Sequence, residues 1–173
     1  MIRYHFEPNN SVEHPYTSCV NILIENGANL GLKNEEEATA MHLAAKRGQK
    51  KIITALNKKD SKLLADQDAN NDTAMHIAAE HGQTKCVSEL IFLGAKIGKT
   101  NSKGWTPLHC AANANARDIC KLLVEKGAKL DLGDKTEMTP FHLACRNGHL
   151  DLGMPNNILR FIFNIDYMYI SFI

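Results

Sequence analysis

Thr39-Ala40-Met41-His42-Leu43-Ala44-Ala45 returns as Thr73-Ala74-Met75-His76-Ile77-Ala78-Ala79, as Thr106-Pro107-Leu108-His109-Cys110-Ala111-Ala112 and as Thr139-Pro140-Phe141-His142-Leu143-Ala144-Cys145. The threonines are 34, 33 and 33 residues apart. A fixed period of that size means stacked units, each burying a face that it cannot bury alone. Each threonine is a good N-cap, and Pro107 and Pro140 suit a first helical turn. Ala40 and Ala74 are tolerable at the same position. The alanines that follow keep one helix face small, so neighbouring helices can approach closely.

Nine residues after each threonine stand Gly48, Gly82, Asn115 and Gly148, where a helix ending needs a left-handed backbone. A second apolar helical pattern follows, as in Cys86-Val87-Leu90-Ile91 and Ile119-Cys120-Leu122-Leu123-Val124. It stops at Gly94-Ala95 and Gly127-Ala128, and an earlier one stops at Gly27-Ala28. Units are joined by turns of the form Asp/Asn-x-x-Gly-x-Thr, beginning at Asn34, Asp68, Asn101 and Asp134. Glu37 and Glu137 occupy the glycine slot, where left-handed geometry costs roughly 1–2 kcal/mol each. Those two turns are therefore expected to be looser or differently shaped. The unit from Thr39 is one residue longer and carries Asp60-Ser61 in place of the Gly-Ala stop. Glu89 stands in a slot that holds Ile22 and Leu122 elsewhere, and is expected at the edge of its helix.

The T-P-L-H-x-A-A pattern resembles the ankyrin repeat family, over about Thr17 to Leu152. The resemblance implies an all-α solenoid of helix-turn-helix units with short β-hairpin fingers. It also implies that each motif histidine hydrogen-bonds its turn threonine and the next unit's backbone. Thr39, His42, Thr73, His76, Thr106, His109, Thr139 and His142 are thus structural motif residues. The expected organisation is an off-pattern segment 1–16, an array 17–152 and an off-pattern hydrophobic tail 153–173. Within the array, 17–38 is partial, 39–72, 73–105 and 106–138 are complete, and 139–152 is partial.

Gly153 and Pro155 fall where the last second helix wants apolar residues, so that helix is expected to break. Residues 158–173 fit a helical stripe and a strand alternation equally well. The abrupt loss of pattern suggests an array that originally continued past Leu152; a degenerate cap over the last repeat is the alternative.

The chain has 173 residues and a formal net charge of +1, from 20 basic and 19 acidic side chains. Balanced charge gives no general attraction to nucleic acid or to an anionic membrane. The five cysteines are odd in number and form no C-x-x-C pair, which with no visible signal peptide points to a reduced, cytoplasmic setting. No apolar run is long enough to span a bilayer.

Chemistry finds little foothold. The motif histidines stand one repeat apart and form a ladder, so they do not converge on one metal ion. His142, Cys145 and His149 offer at most three ligands, one already claimed by the motif. Cys110 and Cys120 fall in packing slots and read as small hydrophobes. Gly94-Ala95-Lys96-Ile97-Gly98-Lys99-Thr100 has one residue too few between its glycines for a phosphate loop, and it follows a helix. No enzyme, cofactor or metal is expected.

What remains is a binding surface for protein partners on a monomeric chain. In the family the finger tips and first helices present a concave face, and its variable positions carry specificity. The candidate partner-binding residues are Asp72, Trp105 and Met138 before the threonines, and Lys46, Arg47, Glu80, His81 and Arg146 at the first-helix ends. Trp105, the single tryptophan, flanked by Met138 and Arg146, is the expected anchor. The alternative is a fragment of the cytoplasmic array of a larger protein; the irregular repeat lengths look similar to those of transient receptor potential A channels.

Overall fold

A computed structural model describes residues 15–149, with side chains from Cys19 onward. The readings of 1–14 and of 150–173, including the break at Gly153 and Pro155, lie outside the described residues. Among the described residues the chain forms eight α-helices and no strand: α1 Pro15–Glu25, α2 Ala40–Lys46, α3 Lys50–Lys59, α4 Ala74–Glu80, α5 Thr84–Phe92, α6 Pro107–Asn113, α7 Arg117–Glu125 and α8 Pro140–Arg146. The short helices α2, α4, α6 and α8 stack in one layer, and α1, α3, α5 and α7 in a second. Contacts within the first layer are the more extensive. Alanine is the reason: Ala44, Ala45, Ala78, Ala79 and Ala111 are buried and keep the first-layer helices close. The stack therefore curves toward that layer. A continuous core from Met41 to Leu123 joins the layers, with Met41, Ile53, Leu56, Met75, Leu90, Ile119 and Leu123 fully buried.

Each first helix ends into a left-handed residue at Gly48, Gly82, Asn115 or Gly148, and α1, α5 and α7 are followed by Gly27, Gly94 and Gly127 at φ 82°, 91° and 85°. The unit from Thr39 ends differently. Its extra residue is absorbed in a 3-10 turn over Ser61–Ala65, capped by the Asp60 carboxylate accepting from the Lys62 N–H at 2.9 Å. That turn buries Leu63.

The fingers between units contain no regular strand among the described residues, in contrast to the hairpins that the resemblance implies. Each is a five-residue loop held by its first side chain. Oδ1 of Asn34 accepts from the N–H groups of Glu36 and Ala38 at 3.0 and 2.8 Å. Asp68, Asn101 and Asp134 do the same for the residues two and four further on. One backbone bond joins each finger to the next, from Ala69 N–H to Glu36 O, Ser102 N–H to Asn70 O and Lys135 N–H to Lys103 O, at 2.9–3.1 Å.

The turns at Glu37 and Glu137 are not looser. Both glutamates keep the left-handed backbone, φ 55° and 62°, beside Asn71 at 59° and Gly104 at 81°. The clamp by Asn34 or Asp134 outweighs the steric cost of the Cβ. That cost is still present, so Glu137→Gly is expected to raise stability by about 1 kcal/mol. A urea titration of the two proteins measures it, and an unchanged midpoint would remove the strain.

Glu89 also departs from expectation. It is buried, 8% exposed, between α3 and α5. Its carboxylate meets the Lys50 ammonium at 2.9 Å and accepts the Thr54 hydroxyl at 2.7 Å. Those contacts, the Lys50 hydrogen bond first, hold its carboxyl below the ordinary value.

Candidate protein-binding face

The motif threonines and histidines build one linkage three times over. The Thr39 N–H donates to His42 Nδ1 at 3.2 Å, and the Thr39 hydroxyl lies 2.9 Å from the same atom. A backbone N–H only donates, so Nδ1 is unprotonated and the hydroxyl donates to it as well. Nε2 then carries the proton, and it donates to the Asp72 carbonyl at 3.0 Å. His76 links Thr73 to the Trp105 carbonyl at 3.0 Å, and His109 links Thr106 to the Met138 carbonyl at 3.2 Å. Each imidazole therefore couples the start of its own helix to the next finger. All three are buried, and burial pushes their pKa down, to about 4 for His76. His142 repeats the bonds to Thr139 but is exposed, and its Nε2 has no hydrogen-bond partner among the described residues.

The positions before the threonines are finger bases, not tips, because each carbonyl closes its own loop: Ala38, Asp72, Trp105 and Met138 accept from Asn34, Asp68, Asn101 and Asp134. Ala38 is buried, and the other three are half-buried. The Asp72 carboxylate accepts from Asn101 Nδ2 at 2.7 Å. Burial pushes the Asp72 carboxyl up against that bond, and the like charges of Asp68 and Glu80 add to the rise. The Trp105 indole N–H donates to Asp134 Oδ2 at 2.8 Å, and Lys103 Nζ sits 4.6 Å from the ring centre. For Asp134 burial works the other way, but hydrogen bonds from Thr136, Trp105 and Met138 hold the carboxyl well below the ordinary range.

These cross-finger pairs were missed from sequence. Their signal was present: Asp72 to Asn101 and Trp105 to Asp134 are both separated by 29 residues, a finger's offset within the period.

The first-helix ends are open. Lys46, Arg47, Glu80, His81 and Arg146 are exposed on the curved-in layer. The structure thus spreads the candidate residues over four successive units: Lys46, Arg47 and Asp72 belong to the unit of α2, Glu80, His81 and Trp105 to that of α4, Met138 to that of α6 and Arg146 to that of α8. Four of the five cysteines, Cys86, Cys110, Cys120 and Cys145, are buried or half-buried, which disfavours the thiolate. Burial pushes the Cys86 thiol up to about 11 and the Cys120 thiol up to about 12, and raises Cys110 and Cys145 too. No three His, Cys, Asp or Glu side chains gather as a metal site among the described residues. No described helix is long and apolar enough to cross a membrane.

A family model described as ankyrin repeats (3 copies) matches residues 10–101 and 86–153. The mouse (Mus musculus) RelA-associated inhibitor is 51% identical over 39 residues, 22% of this chain and 5% of that protein. The chain spans a small fraction of that relative, little more than one repeat in length.

Proposed function

The chain belongs to the ankyrin repeat family, a protein-interaction fold without catalytic machinery of its own, and we propose that it acts as a non-enzymatic adaptor. It holds a protein partner against the inner face of the first-helix layer, inside the cell. The supporting observation is how the side chains are divided. The residues that recur in every unit are consumed by the stack, as threonine-histidine linkages and finger clamps. Of the residues that differ from unit to unit, Lys46, Arg47, Glu80 and Arg146 are exposed with no ion pair among the described residues, and His81 bonds only its own helix, at the Ile77 carbonyl. The charge changes along the stack, basic on α2, acidic on α4, neutral on α6 and basic on α8, which suits a partner with a defined charge pattern. The mouse relative's name concerns that protein; a likeness of 39 residues carries the repeat and not its partner.

Trp105 is the anchor in this reading, with Met138 and Arg146 beside it. The half-buried side chain offers a rigid apolar edge, braced by Asp134 and Lys103. Trp105→Ala is expected to weaken partner capture about 30-fold, the equivalent of about 2 kcal/mol. Partners captured from cell extract by the wild type are quantified against Trp105→Ala and against the surface variant K46E/E80K/R146E. Thermal melts confirm that each protein is folded. Capture that both variants leave unchanged would move the partner off this face.

A further inference from the structure

The chain's charge balance hides a local imbalance. Residues 46–62 hold seven basic side chains against Asp60 alone, a net of +6 in a chain of net +1, so the remainder carries −5. Much of this charge lies on α3, which has a lysine pair at each end and no acidic residue. Lys50 turns inward to Glu89. Lys51, Lys58 and Lys59 are exposed, and none has an ion-pair partner among the described residues.

These three lysines line a groove of about 620 Å³ between α1 and α3, on the second-helix layer and away from the face proposed above. Ile24 and Ala55 give it an apolar lining, and Glu25 is its single carboxylate. The groove exists because the column of side chains between second helices is not filled here. In the next gap that column holds Glu89 with its two partners from α3. Here the α3 member is only Ala55.

We propose that this groove binds an acidic segment of a partner protein, with carboxylates on Lys51, Lys58 and Lys59 and an apolar side chain over Ile24 and Ala55. Three ammonium groups against one carboxylate leave a local surplus of positive charge, which an acidic segment complements. The apolar lining has no use for a phosphate backbone, and the net −5 of the remaining chain repels an extended polyanion. A recessed groove also does not meet a planar lipid surface.

The probe is a fluorescein-labelled peptide of three Asp-Glu-Leu-Glu repeats, read by fluorescence anisotropy with the full chain. Saturable binding that weakens with added salt is expected. The triple variant K51E/K58E/K59E should weaken it at least about tenfold, and the triple glutamine variant at these positions by a smaller factor. The control K121E/K126E/K129E makes the same net charge change on and after α7 and should stay within about threefold of wild type. Melting curves accompany every variant, and the glutamine triple decides if the glutamate triple is unfolded. Equal losses in both glutamate triples would overturn the proposal, because only total charge would then matter. So would the absence of saturable binding to wild type, or binding of duplex DNA or phosphatidylserine vesicles without binding of the peptide.

Discussion

Lowering the pH from 7 to about 4 is expected to cost the stack roughly 3 kcal/mol through His76 alone. In the unfolded chain an imidazole titrates near its ordinary value of 6.5, and in the fold His76 is held at about 4. Between those values the unfolded state holds the extra proton, so stability falls as pH falls. Above about 6.5 the stabilisation is complete, and below about 4 this group adds no further loss. A tenfold difference in proton affinity is worth about 1.4 kcal/mol, which sets the size of the effect. His42 and His109 are shifted the same way by burial and add to the loss as pH falls below about 6.5. The charges facing the ladder do not reverse this. Asp68 and Asp66 favour the cation at His42, Asp68 does so at His76 and Asp134 at His109, but burial is the larger effect each time. Asp72 works against the trend, since its raised pKa means that acid relieves a buried charge.

Geometry gives the reason. A proton on Nδ1 would face the Thr73 N–H, a donor against a donor, and break the helix cap. Nε2–H still donates to the Trp105 carbonyl in the cation, but a ring pushed off the Thr73 N–H carries that bond with it, so the junction between two units is disturbed as well as one helix start. Unfolding at low pH should therefore become less cooperative along the array. Urea titrations across this pH range measure the slope. His76→Gln, which has no titrating group, is expected to be less stable at neutral pH by about 1–2 kcal/mol and to show a shallower fall on acidification. The imidazole nitrogen shifts of His76 test the premise directly. They should report the neutral Nε2–H form well below pH 6.5, and a midpoint near 6.5 would refute it.

Most of the fold was legible because its determinants are local and recur. The threonine caps, the left-handed residues at Gly48, Gly82, Asn115 and Gly148, and the Asn or Asp that opens each finger all act within nine residues of their motif. The misreadings concern interactions between units. At Glu37 and Glu137 the glycine slot suggested a distorted turn, yet the clamp by Asn34 or Asp134 and the bonds between fingers impose the common geometry. The fingers form no regular strand because each is a five-residue loop, closed on itself and joined to its neighbour by one backbone bond, too short for a ladder. In the candidate face the exposed helix ends could be read from the period. The commitment of the Trp105 N–H to Asp134 could not, because side-chain direction is set by the packing of one unit on the next.

The Lys50–Glu89 pair is the sharpest case of such an interaction and carries the second large prediction. Glu89 stands where the repeat places Ile22, Ala55 and Leu122, so the fold itself does not require a charge there. Its carboxylate is stable because Lys50 and Thr54, one unit earlier, reach it from α3. Removing one partner should then cost far more than removing the charge. Lys50→Ala leaves a nearly buried carboxylate with only the Thr54 hydroxyl, and is expected to destabilise by about 2 kcal/mol. A fully buried pair would lose about 3–5 kcal/mol, but the Lys50 side chain is 52% exposed and water partly replaces it. Glu89→Leu has nearly the same volume and matches the residue at 122, so it should lie within about 1 kcal/mol of wild type or be more stable. In the Glu89→Leu background, Lys50→Ala should cost about 0.5 kcal/mol or less, because the carboxylate it protected is gone. Denaturant melts of the four proteins close the cycle. If Glu89→Leu loses more than about 2 kcal/mol, the ion pair contributes net stability, and its desolvation cost has been overestimated.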